Sequence, residues 1–304
     1  MLKNLFMKQK VMNRVLYALV PIILYAVFRF GWRVLAVIAV TNLFSLLTEY
    51  LFVRGKKPGK ISGAVWVTGT LLALILPPAI PFWMAGVGAV IAIAFGKMVF
   101  GGFGMNPFNP ALVGRIFIFI SFPKQMGTQW TVPFANLPGG FGSWANPQGL
   151  TAATRIAEMT ENGVSGIANL FLGNIPGCIG EVSSLLIILA AIYLVISKTA
   201  KWQPMVGGIL SFLAFSFIFN GVNPFYHLFA GGVLFGMVFM LTDPVSMPKH
   251  KTVIWINAIL VGFLIVFIRK YSSFPEGFMF ALLLGNTFSP IIEYAFTSKS
   301  RKGK

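Results

Sequence analysis

The stretch Gln148-Gly149-Leu150-Thr151-Ala152-Ala153-Thr154 lies midway along a chain that is otherwise dominated by apolar segments. It belongs to a polar region with five apolar segments before it and five after it. The small residues before Thr154 leave its hydroxyl open to chemistry. The sequence therefore predicts three parts, which are an N-terminal membrane half, a polar loop and a C-terminal membrane half, at residues 1–122, 123–182 and 183–304.

Composition places the protein in a membrane. Of its 304 residues 57% are hydrophobic and 10% are charged, and the mean hydropathy is +0.81. A soluble domain of this length does not expose so much apolar surface. The apolar runs are continuous rather than alternating, which favours helices over a β-barrel. We therefore predict an all-α integral membrane protein.

Ten apolar segments suggest about ten transmembrane helices, although several are shorter than the ~20 residues of a full span. They are Val15–Phe28, Val34–Phe52, Ser62–Leu76, Phe82–Phe100, Pro110–Phe122, Ser183–Ser197, Met205–Phe219, Phe225–Leu241, Thr252–Ile268 and Phe278–Phe296. Five spans per half give the two halves opposite orientations, which predicts two inverted five-helix repeats. Short similarities between the third and eighth segments, and between the fifth and tenth, agree with this.

The distribution of basic residues predicts the topology. Sixteen lie in the loops or termini of one side, namely Lys3, Lys8, Lys10, Arg14, Arg54, Lys56, Lys57, Lys60, Lys198, Lys201, Lys249, Lys251, Lys299, Arg301, Lys302 and Lys304. Six lie on the other side, namely Arg29, Arg33, Lys124, Arg155, Arg269 and Lys270, with Lys97 and Arg115 near membrane depth. The positive-inside rule then places both termini in the cytoplasm and the polar loop outside. The net charge of +17 is thus a topology signal, and no nucleic-acid partner is expected.

Cysteine and histidine are scarce, which limits the cofactors. The chain has one cysteine, Cys178, and two histidines, so an iron–sulfur cluster, haem or zinc site held by this chain alone is not expected. A redox cofactor would be organic or shared with a neighbour. The basic N-terminus runs into the first apolar segment without a cleavage pattern, which predicts a retained signal anchor.

The stretch from Gly101 to Pro110 cannot be a regular helix, because glycines and two prolines interrupt it. Irregular backbone at membrane depth lies inside protein or lines a cavity. Asn106, Asn109 and Arg115 could therefore direct donors toward an anionic or carbonyl-bearing ligand. The alternative is a re-entrant turn that only lets two helices pack closely.

Three acidic residues, Glu49, Asp243 and Glu293, lie at or near apolar segments. Ionisable groups inside a membrane are candidates for an ion pathway, here for sodium or protons. All three are near predicted cytoplasmic ends, so contact with water or a lysine is the alternative.

Several stretches together resemble the RnfD/NqrB family, the flavin-carrying membrane subunits of ion-translocating ferredoxin:NAD and NADH:quinone oxidoreductase complexes. They are Leu72–Pro78, Gly101–Arg115, Phe122-Pro123, Leu172–Gly177 with Gly180-Glu181, Thr242–Val245 and Glu293–Phe296. The resemblance covers almost the whole chain. It implies a fold similar to urea and ammonium transporters and a prokaryotic cytoplasmic (inner) membrane.

The resemblance implies that Thr154 carries FMN through a phosphoester, installed by a separate flavin transferase. Thr151 and Ala153 would shape the motif, and Arg155 would lie beside the phosphate diester. A second, noncovalent flavin such as riboflavin is a further possibility that the family raises. The motif departs from the family pattern at Gln148, Ala152 and Arg155, where an acidic residue, glycine and proline are usual.

The family has two types of complex. The short N-terminus favours RnfD of the ferredoxin:NAD (Rnf) type, whose implied partners are the FMN-bearing RnfG, the membrane proteins RnfA and RnfE, and the cytoplasmic RnfB and RnfC, besides membrane lipid. Gly114-Arg115 and Phe122–Met126 look more like NqrB of the Na+-translocating NADH:quinone type. Two other hypotheses remain open, a secondary transporter or channel of similar fold and a scaffold subunit without its flavin.

Overall fold

The structure is a computed structural model, and it describes eleven ranges of the chain. They are residues 6–55, 59–128, 130–134, 138–145, 149–150, 171–173, 177–181, 183–220, 224–229, 232–272 and 277–302. Four predicted site residues lie outside these ranges, namely Thr151, Ala153, Thr154 and Arg155. Contacts divide the chain into two compact units, Met1–Asn106 with Pro110–Thr199 and Pro107–Asn109 with Ala200–Lys304.

The first unit contains seven of the described α-helices. They are α1 (Lys10–Phe30), α2 (Arg33–Val53), α3 (Ala64–Leu74), α4 (Phe82–Ile93), α5 (Pro110–Ser121), α6 (Pro123–Thr128) and α7 (Ser184–Ile196). A π-helical turn, Ala94–Met98, extends α4. Between α6 and α7 the structure describes strand β1 (Trp130–Thr131), a 3-10 turn (Gly139–Gly142) and strand β2 (Gly149–Leu150).

Helices of the first unit approach one another through small residues. Helix α2 packs on α3 and α4, and α4 packs on α5. A Cβ atom added to Gly114 of α5 would lie 2.8 Å from the Cβ atom of Ala92, and it would also collide with the carbonyl oxygen of Gly88 on α4. Small residues at such contacts let backbones come close, which is how helices associate without a hydrophobic driving force in lipid.

The second unit contains five described helices, α8 (Trp202–Asn220), α9 (Pro224–Phe229), α10 (Val233–Phe239), α11 (Lys251–Tyr271) and α12 (Phe278–Lys302). Helix α11 packs on both α8 and α12. Gly285 of α12 faces α11 as Gly114 faces α4, because a Cβ atom there would lie 2.9 Å from Asn257 Oδ1. The second, fourth and fifth spans of the predicted N-terminal half therefore pack in the same order as the seventh, ninth and tenth spans of the C-terminal half.

Five described helices are long and apolar enough to cross a membrane, namely α1, α2, α8, α11 and α12. Shorter apolar helices correspond to four further predicted segments, namely α3, α4 with its π-turn, α5 and α7. The eighth segment, Phe225–Leu241, differs from the expectation of one helix: it contains α9 and α10, and Gly232 before α10 has a left-handed φ of 61°. The protein is a helical membrane protein. The ten-span inverted arrangement stays a prediction.

The compact units do not coincide with the three predicted parts. Helix α7, the first span of the predicted C-terminal half, belongs to the first unit. Helix α1 packs on it, and Arg14 Nη1 donates to the Ser197 carbonyl at 2.6 Å. The division at residues 122 and 182 concerns topology, and it stays a prediction.

Candidate functional site

The described residues on both sides of 151–170 attach to the turn between α1 and α2. Strand β2 pairs antiparallel with β1, with Leu150 opposite Trp130. After β1, the Phe134 amide donates to the Arg29 carbonyl at 2.8 Å. On the other side, Arg29 Nη2 donates to the Gly173 carbonyl at 3.2 Å. Both flanks of the Thr154 region are thus fixed at one end of α1.

The 3-10 turn adds further contacts to the same end. The amides of Trp32 and Arg33 donate to the carbonyls of Ser143 and Trp144 at 3.2 and 2.9 Å. Trp32 Nε1 donates to the Phe141 carbonyl at 2.8 Å. Gly31, at φ 92°, is where the chain turns, and a Cβ atom there would lie 2.6 Å from the Trp144 carbonyl oxygen. Glycine is required at that position by both conformation and space.

Arg33 stabilises an irregular stretch that follows α3. Its guanidinium donates to the carbonyls of Pro78, Ala79 and Ile80 at 3.2, 3.3 and 2.7 Å. The guanidinium carbon also lies 4.4 Å from the centre of the Phe82 ring. Carbonyls that leave a helix at membrane depth need such internal partners. An arginine of α2 thus supplies donors to the stretch Pro78–Ile80 between α3 and α4.

A buried ion pair lies between α2 and α4. Lys97 Nζ is 2.6 Å from Glu49 Oε2 and donates to Ser62 Oγ at 2.5 Å. Glu49 Oε1 accepts from the Ser62 amide at 2.9 Å and from the Ser62 hydroxyl at 2.8 Å. The side chains of Lys97 and Glu49 are each 2% exposed. Each member of this triad therefore satisfies the others, as buried charges require.

Residues next to the triad in the chain belong to a buried apolar cluster, since Ile61 precedes Ser62 and Met98 follows Lys97. Val53, Ile61, Val65, Ile93 and Met98 form one buried hydrophobic cluster. The sequence predicted Glu49 as an ion-pathway candidate but did not identify Lys97 or Ser62 as its partners. A signal was present, because Lys97 is the one charged residue within the apolar segment Phe82–Phe100.

Asp243, the second acidic candidate, contacts a predicted donor. Asn109 Nδ2 lies 3.4 Å from Asp243 Oδ2, and both residues belong to the second unit. The Val245 amide and Ser246 hydroxyl also donate to this carboxyl, each at 3.1 Å. Asp243 lies in the turn after α10, where burial raises the pKa of its carboxyl and these two hydrogen bonds act in the opposite direction.

The other predicted donors are buried in the first unit. Arg115 is 3% exposed, and its Nη2 donates to Cys178 Sγ at 3.4 Å. Asn106 is 4% exposed. The structure thus brings Asn109 to Asp243 and Arg115 to Cys178. Whether these three residues serve one ligand stays a prediction.

Glu293, the third acidic candidate, is a residue of α12 whose carboxylate lies at the N-terminus of α11. Its Oε1 accepts from the amides of Lys249 and His250 at 3.1 and 3.0 Å, directly before α11 begins at Lys251. A carboxylate at this position satisfies free amides and favours the helix dipole. Its contacts are those of a helix cap. Among the described residues, no group of three or more His, Cys, Asp or Glu could hold a metal ion.

These features define the class of the protein. It is a polytopic helical membrane protein with interrupted spans and a buried ion pair. The sequence model of the NQR2, RnfD, RnfE family matches residues 3–302, and the chain belongs to that family. The resemblance stated from the sequence motifs is thereby confirmed.

Relatives of this family are named as the B component of Na(+)-translocating NADH-quinone reductase. Those of Ectopseudomonas mendocina and Azotobacter vinelandii are each 36% identical to this chain over 278 residues, which is 86% of the chain and 66% of the relative. That of Pseudomonas aeruginosa PAO1 is 36% identical over 253 residues, 77% of the chain and 60% of the relative. The chain thus spans less than two thirds of the length of these relatives.

Proposed function

We propose that this chain is the flavin-carrying membrane subunit of an ion-translocating oxidoreductase of the Nqr/Rnf type, with FMN bound through its phosphate to Thr154. Family membership over residues 3–302 carries the proposal. The motif Thr151-Ala152-Ala153-Thr154 follows strand β2 directly. FMN supplies reversible electron transfer when bound, and the protein supplies position and electrostatics.

The residues of this chain have three tasks under this proposal. Thr154 would hold FMN through a phosphoester at its hydroxyl oxygen, and the Arg155 guanidinium would supply positive charge to the phosphate diester. The described residues on either side of the motif, 149–150 and 171–173, attach near the α1–α2 turn, on the side that basic-residue counting predicts to be outside. Buried Glu49 and half-buried Asp243 are the candidates for an ion pathway, whereas the capping contacts of Glu293 favour a structural role.

Between the two complex types, the identity to quinone-type relatives favours the NqrB role in a Na+-translocating NADH:quinone reductase. The RnfD role in a ferredoxin:NAD complex, which the sequence placed first, is the second candidate, and family membership fits it equally. Activity separates them, because membranes containing the complex should reduce quinone with NADH in the first case and NAD with ferredoxin in the second. The partner proteins are then those of whichever complex type the activity assay identifies.

In-gel flavin fluorescence tests the covalent site. We would express the complex with a flavin transferase and compare wild type with Thr154→Ala on a denaturing gel, confirming the bound mass by intact mass spectrometry. Thr151→Ala is the matched control, because it removes the other hydroxyl of the same motif. We expect fluorescence in wild type and Thr151→Ala and its loss in Thr154→Ala.

Two results would contradict the assignment. Fluorescence that survives Thr154→Ala but not Thr151→Ala would move the flavin to Thr151. A wild-type band without fluorescence, beside a labelled flavin protein of the complex in the same lane, would refute covalent flavin on this chain. That result would favour a transporter or a scaffold role.

A further inference from the structure

The triad of Glu49, Ser62 and Lys97 has the ligand chemistry of a cation site. Three oxygen atoms, Glu49 Oε1 and Oε2 and Ser62 Oγ, form an oxygen cage that is held together by the Ser62 hydroxyl and amide. The Lys97 ammonium fills this cage, at 2.6 Å from Glu49 Oε2 and 2.5 Å from Ser62 Oγ. Carboxylate and hydroxyl oxygens are the ligands of hard cations.

The charge of the cage allows one cation at a time. Glu49 and Lys97 together carry no net charge, and the side chain of each is only 2% exposed. A second cation would leave an uncompensated positive charge away from water, which is costly at membrane depth. An entering metal cation must therefore displace the ammonium.

The backbone that carries Lys97 is suited to such a displacement. Lys97 lies on the π-helical turn Ala94–Met98, and single π-turns within α-helices are frequent at functional sites. Gly101, Gly102 and Gly104 follow at φ values of 112°, 104° and 90°. The ring centre of Phe103 lies 6.0 Å from Lys97 Nζ, at the distance of a cation–π contact. The Phe103 ring thus offers the ammonium a second position within reach of Lys97.

We propose that Lys97 is a tethered counter-cation: its ammonium fills the oxygen cage in this structure and withdraws toward Phe103 when a monovalent cation such as Na+ enters. The inference rests on the proposed function, because it explains how Lys97 would control the access of a transported cation to Glu49. The Lys97 ammonium then competes with the transported ion for the oxygen atoms of Glu49 and Ser62.

The test is the Na+ dependence of redox-driven ion uptake by the whole complex in proteoliposomes, with wild type, Lys97→Met and Lys97→Arg compared. A site that is occupied by its own ammonium nine tenths of the time shows an apparent dissociation constant raised about ten-fold. We expect Lys97→Met to lower the half-saturating Na+ concentration about ten-fold at reduced turnover. Lys97→Arg should keep it at or above the wild-type value. Lys60→Met, which removes an exposed ammonium, should not change it.

A labelling measurement on wild type covers the case in which Lys97→Met does not assemble. Reductive methylation followed by mass spectrometry should label Lys97 more in NaCl than in choline chloride, with Lys60 labelled equally in both. A half-saturating concentration within two-fold of wild type in Lys97→Met, or equal Lys97 labelling in both salts, overturns the role of Lys97. A wild-type complex without redox-driven ion uptake refutes the proposed function instead.

Discussion

Replacing Lys97 by methionine isolates the energetics of the buried ion pair. The substitution removes two hydrogen bonds, to Glu49 Oε2 and Ser62 Oγ, and leaves a carboxylate buried without its cation. Removal of one partner of a buried pair costs about 3–5 kcal/mol. Because Ser62 still donates twice to Glu49 Oε1, we expect the lower end, about 3 kcal/mol. For a unit of about 200 residues this lowers Tm by roughly 6–12 °C.

The assay is thermal unfolding of the purified chain in detergent, followed by tryptophan fluorescence and by recovery in size-exclusion chromatography. The double variant Glu49→Gln with Lys97→Met leaves no charge at the position of the pair and should recover most of the loss, since methionine and glutamine nearly match the replaced volumes. Lys60→Met serves as the exposed control. A Tm fall under 2 °C in Lys97→Met, or a larger fall in the double variant, would refute this account of the pair.

Three other predictions concern stability. Gly114→Val should separate α5 from α4 at a cost of about 1–3 kcal/mol in the free energy of unfolding, whereas Gly127→Val, with open space around it, should be nearly neutral by the same thermal assay. Arg33→Met should cost about 1–3 kcal/mol, because three carbonyls lose their donor; Arg33→Lys should recover only part of it. Because burial raises the pKa of Asp243, wild type should lose Tm relative to Asp243→Asn as pH rises from about 4 toward 7. A parallel pH dependence of the two proteins would contradict this.

Most of the helices could be predicted from the lengths of the apolar runs, because the length and hydropathy of a segment depend only on its own residues. The glycines from 101 to 104 predicted an interruption, and the structure has three positive φ values there. The break within the eighth segment was not predicted, because a pattern of apolar residues carries no information about one glycine at φ 61°. Glycine takes this conformation without steric cost, so a run can be apolar and still change direction.

The partners of the candidate residues could not be predicted in this way. Glu49 and Lys97 are 48 residues apart in the chain, and Glu293 caps an amide 43 residues away. Such pairs depend on which helices pack, and periodicity carries no information about that. Hence Glu49 and Glu293 looked alike in sequence, although one is buried in an ion pair and the carboxylate of the other lies at the N-terminus of α11. Thr154 lies outside the described residues, and its flavin stays a prediction.

The buried pair has a consequence for the membrane potential. Glu49 and Lys97 carry opposite charges with 2.6 Å between Oε2 and Nζ. A uniform field does no net work on such a pair while it translates without rotating, because its total charge is zero. If the ammonium leaves the carboxylate, each charge responds separately, by up to about 2.3 kcal/mol per 100 mV for full passage across the membrane. The electric field of an energised membrane therefore does work on this pair when its two charges separate or when the pair rotates, and not when it is merely carried along.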